Sequence, residues 1–154
     1  MALIELDTLD SLKDFVGREI GVTDWFVVSQ ERIRKFAETT DDLQWIHIDR
    51  ERAQRESPYG TTVAHGFLTL SLVSQFMKQI LRIRSERRMT INYGLNRVRF
   101  PAPVPADSKI RARVTLQSIK DLPNGTEATY SIVVEGEKAE KPCCVADWVL
   151  RYYR

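Results

Sequence analysis

The chain has 154 residues, 43% hydrophobic and 29% charged, with a net charge of +2. This balance excludes disordered and low-complexity chains and predicts one domain over residues 1–154. The charge is too small to mark a nucleic-acid binder. No run of about 18 apolar residues marks a membrane span, and "MALIELDTLDSLKDF" has no basic leader, so a cytoplasmic protein is expected.

Taken in order, "SLKDFVGREIG" predicts a short helix ended by Gly17, and "DWFVVS" a short strand. Ser29 is placed to cap a helix through "QERIRKFAETT", where Ile33, Phe36 and Ala37 share one face. That helix delivers the chain to Asp41 and Asp42. "DRERAQRES" predicts a helical turn or two capped by Asp49, and "SPYGTT" a loop. From Gly66, "GFLTLSLVSQFMKQILRIR" is apolar around most of its circumference and predicts a buried helix reaching about Arg84. Four strand-like runs follow: "TINYGLNRVRF", "KIRARVTLQSIK", "TEATYSIVVEG" and "CCVADWVLRYY". "LPNG" between the second and third predicts a hairpin, with Asn124 and Gly125 taking the positive φ of a type I′ turn. A sheet wrapped around the buried helix is the expected architecture.

Cys143 and Cys144 are adjacent, so in a strand they point to opposite faces and cannot readily bridge each other; buried thiols are expected. From Lys78 to Arg99 the basic residues are Lys78, Arg82, Arg84, Arg87, Arg88, Arg97 and Arg99 against Glu86, and seven minus one leaves a local charge of +6. This reads either as a solvated helix end, favoured by the macrodipole, or as a landing site for a phosphate-bearing ligand.

"TTDDLQWIHID", then "GTTVAHGFLTLSLVSQF", then "LNRVRFPAPVPADSKIRARV" resemble, in that order, the MaoC-like (R)-specific enoyl-CoA hydratases of the α+β hot dog fold, in which a curved antiparallel sheet wraps a long central helix. The resemblance is closest to the nodulation protein N-like branch and covers roughly residues 15–154. The family's Asp-x-Asn-Pro-x-His motif, laid on this chain, selects Asp42 and His47 as the catalytic pair. The family Asn becomes Gln44 and its Pro becomes Trp45, two substitutions on the expected acyl-binding side.

The chemistry fits the pairing. Hydrating a 2-enoyl thioester removes a proton from water attacking C3 and delivers one to C2, so an acid and a base must flank one small volume. The resemblance further implies that the Gly66 amide stabilises a thioester enolate, that His65 caps or packs the head of the helix beside the substrate, and that Ser74 supports Asp42 or water. Arg97, Arg99 and Arg88 become candidates for the nucleotide end of coenzyme A.

No metal or redox cofactor is expected; coenzyme A arrives with the substrate, and a homodimer is implied. His47, Asp49 and His65 also resemble the two-histidine, one-carboxylate set of iron oxygenases, which belongs to a different β fold. Rival readings are a hot dog thioesterase, a 3-hydroxyacyl-carrier-protein dehydratase of fatty-acid synthesis, and a non-catalytic acyl-thioester-binding subunit.

Overall fold

The computed structural model describes residues 3–84 and 89–154. The elements run β1 (Ile4–Leu6), a 3-10 helix (Asp10–Phe15), β2 (Glu19–Val22), β3 (Phe26–Val28), α1 (Gln30–Thr40), α2 (Trp45–Ile48) and α3 (Arg50–Glu56). They continue through α4 (Gly66–Ser71), α5 (Val73–Ile80), β4 (Leu81–Ile83), β5 (Met89–Arg99), β6 (Ser108–Leu122), β7 (Gly125–Gly136) and β8 (Cys144–Tyr153). Among the described residues the main sheet is antiparallel in the order β2-β6-β7-β8-β5, with β3 also paired to β6.

Period-two patterning sets which face of the sheet is buried. Ile110, Ala112, Val114 and Leu116 of β6 point inward, as do Ala128, Tyr130, Ile132 and Val134 of β7 and Ala146, Trp148, Leu150 and Tyr152 of β8. They form one core with Leu68, Leu72, Val73, Phe76, Met77 and Ile80 of the helical segment. Fully buried Phe76 also meets Phe26 edge to face at 5.8 Å; burying such a side chain contributes about 1.5–3 kcal/mol.

Both predicted caps form: Ser29 accepts from the Arg32 N–H and Asp49 from the Arg52 N–H. Both cysteines are buried free thiols, and burial pushes Cys144 up to about 11.

The structure corrects two local expectations. The central helix does not reach Arg84: α4 runs into α5 through Leu72, which keeps right-handed helical backbone, α5 ends at Ile80, and Leu81–Ile83 is a strand. The cause lies far away in sequence, because β1 pairs in parallel with this segment and takes it out of the helix. The hairpin after β6 is present but is not type I′. Leu122 pairs with Gly125, so Pro123 and Asn124 are its central residues; proline holds φ near −65°, and Asn124 has no positive φ. Gly125 is required for another reason, since a Cβ there would run into the Tyr152 carbonyl of β8.

Pairing with β1 also reshapes the basic region. Arg82 faces Glu5 at 3.5 Å, and Arg84 pairs with Glu5 and lies 3.9 Å from Asp7. The +6 counted along the chain is therefore partly neutralised in space. Arg88 lies outside the described residues.

β5 pairs only with β8 among the described strands, and Met89, Ile91, Tyr93 and Leu95 along it are all exposed.

Candidate active site

Asp42 follows Asp41, whose left-handed φ of 58° ends α1 and turns the chain sharply toward α2. The short helix α2 then carries His47 into the interior, where it is 7% exposed. Its backbone carbonyl accepts from the Gln30 side-chain amide at 2.8 Å, and the Thr62 hydroxyl donates in turn to the Gln30 carbonyl oxygen. Asp107 holds the Gln30 N–H at 3.0 Å and pairs with Arg50 at 2.7 Å. Residues from α1, α3, the α3–α4 connection and the β5–β6 connection thus lock the backbone that presents the imidazole.

The connection into α4 forms the other wall. Val63 donates to the Ile46 carbonyl, Ala64 to the Val104 carbonyl, and the Ala106 N–H to Thr62. The proline-rich segment after β5 therefore still pairs, but through the alternate residues that keep an N–H. This brings the Val63 carbonyl to 2.7 Å from His47 Nδ1. A carbonyl can only accept, so Nδ1 carries the proton and the neutral ring leaves Nε2 with a free lone pair. Burial, with a smaller contribution from His65, pushes the His47 pKa below its ordinary value and favours that neutral form; Val63 and Asp42 oppose the shift.

One ligand-type atom from each of Asp42, His47 and His65 lies within 4.8 Å of the others. The two imidazoles stack at 3.7 Å with 23° between their planes. Lone pairs lie in the ring plane, so stacked rings aim theirs side by side rather than at one ion. Asp49 stands apart from this cluster, its carboxylate being the cap of α3.

Gly66 is the first residue of α4, and among the described residues nothing accepts from its N–H. A Cβ there would approach the Phe100 ring to 3.0–3.2 Å. Gly66 and His47 line one pocket of about 220 Å³ with Ile46, Tyr59, Val63, Thr69, Phe100, Val104 and Cys143.

The other expected residues sit elsewhere. Gln44 is exposed and its side chain caps nothing; half-buried Trp45 lies beneath Arg52, 4.4 Å from ring centroid to guanidinium carbon, and Ile46 is the α2 neighbour that lines the pocket. His65 does not cap α4 through its side chain, which packs on His47 instead. Ser74 is exposed in a separate groove of about 360 Å³ between α5 and strands β5 and β8, beside Asn92, Gly94, Leu95, Ala146 and Trp148. Arg97 and Arg99 are exposed at the end of β5, and the next residue, Phe100, enters the pocket.

Gln30 and Thr62 were not expected. Gln30 reads in sequence as the first residue of a capped helix, and its link to His47, 17 residues on, leaves no local pattern. Replacing it with alanine strands the His47 carbonyl and the Thr62 hydroxyl. A loss of about 1–3 kcal/mol should appear as a lower denaturation midpoint in urea.

The chain superposes on the R-hydratase PhaJ1 from Pseudomonas aeruginosa with a TM-score of 0.71, at 19% identity over 90% of this chain and 82% of that one. Fold and site together define an α+β hot dog protein with a carboxylate–imidazole pair at the head of its central helix. The sequence model of the MaoC like domain matches residues 12–137, and the chain belongs to this dehydratase family. It is 46% identical over 149 residues to the 3-hydroxyacyl-thioester dehydratase Z of Mycobacterium tuberculosis, covering 94% of this chain and 97% of that one. It is 42% identical over 137 residues to Nodulation protein N of Rhizobium leguminosarum bv. viciae, covering 87% and 84%.

Proposed function

We propose that the protein interconverts trans-2-enoyl-CoA and (R)-3-hydroxyacyl-CoA by reversible addition of water. The observation that carries this reading is the approach of Asp42 to a buried His47 whose Nε2 is bare, His47 itself lining a pocket together with Gly66, whose amide is unengaged among the described residues. In hydration, water's oxygen bonds to C3 as one member of the pair takes its proton. The C2–C3 π electrons move toward the thioester carbonyl, where the Gly66 N–H meets the developing charge, and the other member delivers a proton to C2. Dehydration reverses each step. Acid–base chemistry of this kind requires no metal or redox cofactor, and coenzyme A enters as part of the substrate.

The mycobacterial relative's name supports a 3-hydroxyacyl thioester and leaves its carrier open. Exposed Arg97 and Arg99 beside Phe100 are our candidates for the phosphates of coenzyme A, with Arg88 a third by sequence. The outer edge of β5, which pairs with no other described strand, together with its exposed Met89, Ile91, Tyr93 and Leu95, supports a homodimer joined along that edge, because such edges invite pairing.

The test is loss of enoyl absorbance on crotonyl-CoA, beside an acyl-carrier-protein thioester and a short thioester lacking the nucleotide. Turnover of crotonyl-CoA, with Arg97→Glu raising KM only for substrates that carry phosphates, is the expected result. No hydration of any of the three would sink the enzymatic reading.

A further inference from the structure

The His65 side chain touches both halves of the proposed acid–base pair. It is 3% exposed and sits in file between Phe36 of α1, with centroids 5.0 Å apart, and His47 of α2 at 3.7 Å. Its Nε2 donates to the Asp42 carbonyl at 3.0 Å and lies 3.8 Å from the Asp42 carboxylate. Its Nδ1 is buried with no partner among the described residues.

An unpaired buried nitrogen costs free energy. A phenyl ring would fill the same slot, keeping the stack on His47 and the tilted contact with Phe36, without that cost. What the imidazole supplies and phenyl lacks is the Nε2–H that grips Asp42, which is otherwise exposed on the link between α1 and α2.

We propose that His65 is a positioning residue that sets the spacing of Asp42 and His47, holding one by its backbone carbonyl and the other by its ring face. The proposal rests on the hydratase reading for its catalytic consequence but not for its geometry. The groups facing His47 are His65 from the head of α4, Asp42 from the α1–α2 link, the Val63 carbonyl, and Tyr59 and Cys143 across the pocket.

Two variants separate the two contacts. His65→Phe keeps a ring against His47 and removes the donor; His65→Gln keeps a donor near the Nε2 position and removes the ring. The chain has two histidines, so each variant leaves a single imidazole to follow by NMR. For His65→Phe, kcat on crotonyl-CoA should fall roughly 10- to 100-fold with KM little changed, as misplaced catalytic groups do, while the His47 ring protons stay shifted upfield. For His65→Gln those protons should move downfield as the stacked ring's current is lost.

Wild-type kcat in His65→Phe, or unmoved His47 resonances in a folded His65→Gln, would overturn the proposal. Absence of hydration by the wild type would count against the enzymatic reading alone. The His47 resonances would still decide whether the stack orients it.

Discussion

Replacing His47 with glutamine should lower kcat for crotonyl-CoA hydration by about 10²–10⁴-fold, roughly 3–5 kcal/mol in barrier height, with KM close to wild type. The direction follows from position. His47 is buried, its Nδ1–H is committed to Val63, which leaves Nε2 bare, and the residue lines a pocket shared with the head of α4. Glutamine can still reach the carbonyl but cannot accept and return a proton near neutral pH. The pH profile gives the same residue a second signature. Burial lowers the His47 pKa, so in the direction where His47 accepts the proton its neutral form is the active one. Activity should therefore hold as pH falls through the ordinary histidine value of about 6.5 and drop only below it. A His47-dependent limb above that value would contradict the burial argument.

The second large effect is expected at Gly66, where two substitutions divide space from hydrogen bonding. As the first helical residue, Gly66 can become proline without breaking a helix hydrogen bond, and the His65 backbone at φ −60° and ψ 138° already suits a residue before proline. Gly66→Pro deletes the N–H proposed to meet the enolate. Gly66→Ala keeps that N–H and adds the same Cβ against Phe100. Both should lose activity as Phe100 is displaced, but proline should lose about 10²–10³-fold more in kcat, the scale of one oxyanion donor. Equal losses in two folded variants would assign Gly66 to packing alone.

Legibility in the sequence follows the range of the interactions. Strands β6 to β8 alternate because one face of each packs on the helices, and both caps are contacts between neighbours in sequence; these could be read directly. The end of α5 could not, since Leu81 and Ile83 suit a helix face as well as a strand until β1 pairs with them. The position of the hairpin is legible, but its turn type is not, because Asn-Gly suggests a type I′ turn whereas Pro123 occupies the first central position. Asp42 and His47 lie five residues apart and matched a motif, so their approach was legible. The groups that hold them were not: Gln30 reaches His47 across 17 residues, Val63 across 16, and His65 reaches Asp42 across 23. Ser74 matches by count, yet α5 presents it to the groove beside β5 and β8. Counting along a chain does not show which side of a helix meets which wall.

A double-mutant cycle on kcat, using Asp42→Asn, His47→Gln and both together, tests most directly whether one substrate sits between these two groups. Residues that move protons as a unit fail together, so the double variant should be about as slow as the slower single variant. Losses that multiply, each substitution acting at full strength in the presence of the other, would mean that Asp42 and His47 serve separate purposes and that this pocket is not the reaction centre.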